Sequence, residues 1–388
     1  MKALSIAFES AIINSRQIRR SGVGDRQEVH NRRDSGALLS RNRRATLSDV
    51  ARAAGVSPVT VSRVIRQPGM VSENLRQRVS DAVAELQYIP NHLASALAST
   101  RTNIVGVIVP SLTNGVFDDY VGAIEDVLNP AGFQVLVLNV RYSEIEEERA
   151  IQALMGYHPE AMIVAGVDQT DRARQLLKTS GVPVVQTMDV TDDPIDLNIG
   201  LDHAEAGAAA VRYLHGLGHT RIAHLTARGD PRARRRHGGY LRQMQALGLS
   251  TDGLVQSLPR ISDVAMGSEL FSNILAEVPD VTAVFTCNDD LALGTLFECQ
   301  RRGLRVPEDV AIVGFNDLDF CVASVPPLTS VSTERRTMGT WAAQSILEII
   351  RGSGKRPKQQ SVDVGFSIKV RGSSDAGPVP DRRQKRSA

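Results

Sequence analysis

From residue 101 onward, short apolar runs alternate with longer stretches of helical periodicity. The runs lie at 104–109, 134–139, 161–164, 182–186, 221–225, 283–286 and 310–314, each four to six residues long. Runs of that length bounded by turn residues read as buried strands. Between them, apolar positions recur at helical spacing over 118–128, 144–154, 171–179, 203–216 and 291–303. Strand–helix alternation of this kind predicts an α/β fold of parallel sheets with helices on both faces. Ligands of such sheets bind beyond the carboxyl ends of the strands. That rule puts residues 111–117, 288–290 and 316–317 at one rim, with Ser111, Asn114, Phe117, Asn288 and Asn316 as candidates. Asn side chains offer both donors and acceptors to sugar hydroxyls, and they are equally ordinary loop residues. Phe117 suits either the apolar face of a ligand or the core.

Residues 46–100 carry a different pattern, with no strands and several helix punctuation marks. Leu47, Val50, Ala51 and Ala54 fall at i, i+3, i+4 and i+7, and Gly55 follows where a helix commonly ends left-handed. Ser57 is a good N-cap and Pro58 suits the first helical position, so a second helix spans about 58–66. Pro68 and Gly69 end it, and Ser72 opens a third helix reaching about Gln87. Two short helices joined by a tight turn form the helix-turn-helix signature of a DNA reader. The second helix would enter the major groove, with Ser57 and Pro58 at its start. Val59 can touch a thymine methyl, and Arg63 a guanine edge or a phosphate, while Thr60 and Ser62 offer short hydroxyls. A packed Val59 and an ion-paired surface Arg63 are the plainer readings of those two residues.

Pro90 breaks the third helix, and Asn91 can cap a further one, reading His-Leu-Ala-Ser-Ala-Leu-Ala-Ser from His92. Two turns do not persist alone in water, so this hinge segment is expected to form only on DNA beside a second copy. Leu97 would then act as an apolar wedge in the minor groove, and Asn91 and His92 would face the same duplex. A plain linker is the alternative.

Charge sharpens the division. The 388 residues carry 45 Lys and Arg against 43 Asp and Glu. Residues 1–45 hold 10 basic and 4 acidic side chains, whereas residues 101–388 hold 30 and 35. A basic front end on a mildly acidic body suits a polyanionic partner, or a solvated tail. The expected organisation is a disordered basic extension (1–45), a headpiece (46–89), a hinge (90–101), a two-lobed core (102–371) and a flexible tail (372–388).

Other classes fit poorly. No apolar run approaches the roughly 20 residues of a membrane span, and residues 1–20 lack the long apolar core of a secretory signal. Cys287, Cys299 and Cys321 form an odd set without a CxxC pair, which suits neither a disulfide framework nor structural zinc. A reducing cytoplasm is the expected home. No GxSxG, HExxH or P-loop is present, so no catalytic residues, metal or cofactor are expected.

The runs TLSDVARAAGVSPVTVSRVI, VSENLRQRVSDAVAELQYIPNHLASALAST and NIVGVIVP resemble the headpiece and hinge of the lactose-repressor (LacI/GalR) family. The resemblance continues through PSLTNGVF, HLTARG, GFNDLDF and PPLTSVST, covering residues 46–371. FTCNDDLALGTLFECQRRGLRVPEDVAIVGF, SEIEEER and VPVVQTMD are most similar to the gluconate-operon repressors within it. The resemblance implies a homodimer, or a tetramer, that reads operator DNA, with a core like the periplasmic sugar-binding proteins. It implies a repressor controlled by a gluconate-like sugar acid bound between the lobes. Another sugar, a phosphorylated sugar acid or a protein corepressor is the alternative. Arg236, three residues before Gly239 in RHGGY, matches a ligand-contacting arginine of the family and is expected to clamp the carboxylate. Its neighbours Arg232, Arg234 and Arg235 read as a solvated loop, or as extra positive charge for a phosphate. Gln186, Asp189 and Asp202 are weaker ligand candidates, Asp189 being equally a strand-end cap.

Overall fold

The computed structural model describes residues 44–89, 101–227, 229–352, 356 and 360–375. The chain divides into two compact units, residues 1–91 and 92–388.

The first unit holds α1 (Leu47–Ala54), α2 (Pro58–Arg66) and α3 (Glu73–Glu85). Thr46 and Asp49 form a reciprocal capping box at the start of α1, and Gly55 ends it at φ 62°. The Ser57 side chain accepts from Thr60 N at 3.2 Å, with Pro58 at the first helical position. Val50, Ala51, Ala54, Val61, Val64, Val79 and Ala82 make one small core. The helix-turn-helix expected from the sequence is therefore present; its third helix stops at Glu85 because Gln87 turns left-handed, at φ 47°.

The second unit contains two six-stranded sheets. Its first lobe runs β1 (Ile104–Val109), α4 (Gly115–Leu128), β2 (Gln134–Asn139), α5 (Glu144–Gly156), β3 (Ala161–Ala165), α6 (Asp171–Thr179), β4 (Val184–Asp189) and β5 (Leu197–Leu201). The second lobe follows with α7 (His203–Gly216), β6 (Ile222–Ala227), α8 (Pro231–Ala246), β7 (Val255–Leu258), α9 (Val264–Glu277), β8 (Ala283–Thr286), α10 (Asp289–Arg301), β9 (Ala311–Asn316), α11 (Phe320–Ala323) and β10 (Thr329–Ser332). Then α12 (Arg335–Arg351) packs back on α4, β11 (Ser361–Asp363) pairs with β5, and β12 (Ser367–Lys369) pairs with β10. The sheet orders are β11-β5-β4-β3-β1-β2 and β12-β10-β9-β8-β6-β7. All pairings are parallel except β12 on β10. The chain thus crosses between lobes three times, after β5, after β10 and after β11. Residues at the carboxyl ends of strands from both sheets line one gap.

Several elements escaped the apolar pattern. β10 reads Thr-Ser-Val-Ser yet is buried throughout, because its polar groups find partners: Ser330 Oγ donates to Asp289 Oδ1 at 2.6 Å and Thr329 Oγ1 pairs with Ser374 Oγ at 2.7 Å. Those bonds also correct the expected start of the tail. Ser373 and Ser374 are buried, and Ser373 Oγ donates to Ile312 O at 2.7 Å, so the ordered core continues past residue 371. The segment expected as a solvated arginine loop is the first turn of α8. It starts on an Asp230 cap with Pro231 at the first helical position.

Candidate functional site

Strand ends, helix caps and the crossovers enclose a cleft of about 630 Å³, partly open to solvent. Each wall residue is placed by local backbone chemistry. After β1, Asn114 caps α4 by accepting from Val116 N at 3.1 Å, and one turn on, Phe117 faces the gap. After β8, Asn288 caps α10 by accepting from Leu291 N at 3.1 Å while its amide donates to Ser262 Oγ. After β9, Asn316 stands at φ 114°, a conformation foreign to side-chain-bearing residues. Met188 (φ 75°) and Tyr142 (φ 58°) are also left-handed and also line the cleft. Backbone strain therefore gathers at its wall.

Three arginines of α8 meet the cleft or its margin, and their partners differ. Arg232 is buried and doubly paired with Asp230, Nε to Oδ1 at 2.9 Å and Nη2 to Oδ2 at 3.2 Å. Burial alone would raise the Asp230 pKa, but Arg232 and Arg236 outweigh it and hold the carboxyl below its ordinary value. Arg235 bridges to the opposite lobe. It holds Asp168 bidentately at 2.6 and 2.9 Å and approaches Asp189 Oδ2 at 2.9 Å. Burial pushes the Asp189 carboxyl up to about 7 against the pull of Arg235 and Arg232. Arg234 is exposed.

Arg236 is the exception. It is 5% exposed and has no carboxylate partner among the described residues. Its Nε donates to His203 Nδ1 at 3.2 Å, its Nη1 donates to the Cys287 carbonyl, and its guanidinium carbon lies 4.1 Å from the centre of the Phe315 ring. All three contacts are neutral. His203 Nε2 lies 2.9 Å from Met188 O, which can only accept. That nitrogen therefore carries the proton, and Nδ1 is free to accept from Arg236. Burial, reinforced by Arg236 and Arg232, keeps the His203 pKa well below its ordinary value, so the ring stays neutral. Burial also lowers the Arg236 pKa, yet a guanidinium remains charged in proteins.

The structure brings Asn114, Phe117, Arg236, Asn288 and Asn316 together on the cleft wall. It does not bring Ser111, Gln186 or Asp202 there. Ser111 Oγ accepts from Thr113 N and Asn114 N, each at 3.2 Å. Gln186 is fully buried, donating to Gln169 at 2.6 Å and accepting from Ile195 N at 2.7 Å. Asp202 caps α7 by accepting from Glu205 N at 2.9 Å. In each case a backbone or core neighbour has taken the polar group. Phe117 combines both of its readings, being 2% exposed yet part of the wall, with Arg232 over its ring. The sequence reading missed His203, Tyr142, Met188 and Asp230. The Asp230–Pro231 pair was a legible helix start, whereas nothing local marked the others. Among the described residues no group of three or more His, Cys, Asp or Glu side chains is placed to hold a metal ion.

On the headpiece, the first turn of α2 faces outward. Val59 is 69% exposed, which removes its packing reading. Ser57 Oγ and Thr60 Oγ1 lie 2.8 Å apart, Pro58 and Arg63 are exposed, Ser62 is half-buried, and Arg63 has no carboxylate partner among the described residues. Asn91, His92 and Leu97 lie outside the described residues. Arg63→Ala is expected to cost about 1–3 kcal/mol of operator affinity and to relax preference at one base position. Binding measured across single-base operator variants checks this; a uniform loss over all of them would make Arg63 a phosphate contact.

A model of the bacterial regulatory proteins of the lacI family matches residues 46–91, and a periplasmic binding protein-like domain matches residues 211–374. The HTH-type transcriptional regulator GntR of Pseudomonas aeruginosa is 43% identical, over 85% of this chain and 96% of its own. The regulator GntR of Escherichia coli K12 is 35% identical, over 86% and 99%. Among solved structures, the transcription regulator GntR from Chromobacterium violaceum superposes with a TM-score of 0.67 at 38% identity, over 70% of this chain and 99% of its own. The lac repressor dimer bound to operator and the anti-inducer ONPF gives 0.73 at 28% identity, over 86% and 99%.

Proposed function

The chain belongs to the lacI family of DNA-binding transcriptional repressors, and from that premise we propose that its effector is a singly charged sugar acid, gluconate or a close relative, bound in the interlobe cleft. It is a regulator and not an enzyme. One observation carries the choice of effector: Arg236 is a buried cation with no carboxylate in ion-pair contact among the described residues, Asp230 acting on it only from further off. An uncompensated buried ion costs several kcal/mol, a cost that a ligand carboxylate offsets. The guanidinium edge suits a planar carboxylate, while Asn114, Asn288 and Asn316 suit hydroxyls. The same reasoning argues against a phosphorylated acid, since Arg232 and Arg235 already hold carboxylates.

Repressors of this family act as dimers on operator DNA under the control of small-molecule effectors. For this chain we place two headpieces on a pseudo-palindrome, in the cytoplasm, with no cofactor beyond the effector. No described helix is long and apolar enough to cross a membrane. The acid would bias operator binding only through its different affinities for two lobe arrangements. Release from DNA is the expected direction.

Titration of the full chain with gluconate and 6-phosphogluconate, with and without operator duplex, tests this reading. Saturable gluconate binding that weakens operator affinity, with 6-phosphogluconate much weaker, is expected. Absence of gluconate binding alongside intact operator binding would discard the sugar acid and leave the repressor.

A further inference from the structure

We propose that Asp230 is the charge-selectivity residue of the effector cleft: by occupying Arg232, it restricts the site to acids with one negative group. This rests on the assignment of the cleft to a sugar acid and goes beyond it by naming the residue that sets which acids are admitted. Arg232 and Arg236 both line the cleft, one turn apart on α8, and both are buried. Two free guanidiniums there would favour a doubly anionic ligand, such as an acid phosphate or a dicarboxylate. Only one is free, because both Asp230 oxygens are bonded to Arg232.

Beyond Tyr142, Asp230 and Arg232 lies a second cavity of about 480 Å³, and these three side chains line both spaces. An acid extended by a phosphate would reach this partition and meet a neutralised pair in place of a cation. The far wall adds Glu144, Glu147 and Asp168, of which Asp168 is held by Arg235. Carboxylates there repel a second anion further.

The Asp230 geometry makes a clean test available. One of its oxygens caps α8 by accepting from Arg232 N at 3.0 Å, and Asn caps helices as well as Asp does. Asp230→Asn therefore keeps the helix start while releasing the Arg232 charge.

The experiment titrates the full-length wild type and Asp230→Asn with gluconate, 6-phosphogluconate and glucarate, and includes the double variant Asp230→Asn/Arg232→Met. The wild type is expected to bind gluconate and to bind the two doubly charged acids at least tenfold more weakly. Asp230→Asn should raise affinity for both of them at least tenfold relative to gluconate. The double variant should lose the gain. If the wild type binds gluconate and Asp230→Asn gains nothing for the doubly charged acids, the inference falls while the sugar-acid reading stands. Equal wild-type binding of all three acids overturns it too, as does a gain that survives in the double variant. If no acid binds the wild type while operator binding is intact, both readings fall together.

Discussion

Arg236→Met is expected to abolish effector control while leaving a folded, operator-binding protein. Removing one partner of a buried, hydrogen-bonded charge pair costs about 2–5 kcal/mol, so sugar-acid affinity should fall by roughly 30-fold to several thousand-fold. The stability effect should have the opposite sign. In the unliganded chain Arg236 is buried among His203, the Cys287 carbonyl and Phe315, with no carboxylate beside it. Replacing such a charge with an apolar side chain of similar length relieves its desolvation, and the nearby Asp230 carboxylate keeps its pairing with Arg232. His203 Nδ1 and the Cys287 carbonyl lose a donor, which limits the gain. Thermal unfolding without ligand should therefore show an unchanged or raised midpoint, and operator binding should no longer respond to the acid. A variant that keeps its acid response would remove Arg236 from the site; one that unfolds would make it a structural residue.

The second large effect is one of packing, at a glycine three residues further along the same helix. Gly239 faces α7 so closely that an added Cβ would lie 1.9 Å from the Ala204 carbonyl oxygen. The contact is mutual, because a Cβ at Gly207 would lie 2.4 Å from the Arg236 carbonyl oxygen. The two helices thus touch backbone to backbone, which holds Arg236 of α8 against His203 of α7. Neither obstacle is a flexible side-chain end, so Gly239→Ala must push the helices apart. The expected cost is at least about 3 kcal/mol, the upper part of the range for overpacking. At roughly 2–4 °C per kcal/mol in a unit of this size class, the midpoint should drop by about 6–12 °C. Gly238 supplies the control. It is exposed, nothing lies within 4 Å of its would-be Cβ, and it sits inside a helix. Gly238→Ala should therefore stabilise, by about 0.5–1 kcal/mol. Thermal melts of the two adjacent variants decide the matter, since equal effects would show that α7 and α8 are not in close contact.

Legibility in the sequence followed the range of the forces concerned. The headpiece was readable because its determinants act within a turn: Thr46 on Asp49, Gly55 at a helix end, Ser57 on Thr60, Pro58 at a helix start. The central strands were readable because burial on both faces demands continuous apolar runs. β10 was not, because its Thr and Ser side chains are satisfied by Asp289 and Ser374, far along the chain. In the cleft, Asn114, Asn288 and Asn316 could be picked out as strand-end residues. Gln186 and Asp202 carry similar chemistry at similar positions, but Ile195 N and Glu205 N claim their oxygens.

The central alternation of strands and helices, the DNA-reading turn and the strand-end rim were determined by the sequence alone, since hydrophobic period, caps and turns are set by near neighbours. Tertiary structure decided which of the adjacent arginines is left without an ion pair among the described residues. Arg235 is neutralised from the opposite lobe by Asp168, 67 residues away, and Arg232 by Asp230, two residues away. Arg236 is in direct contact with His203, the Cys287 carbonyl and the Phe315 ring, 33, 51 and 79 residues distant. Charge compensation in a buried site depends on distances of a few ångströms between lobes, and those distances exist only once both sheets have folded and the crossovers have set them face to face.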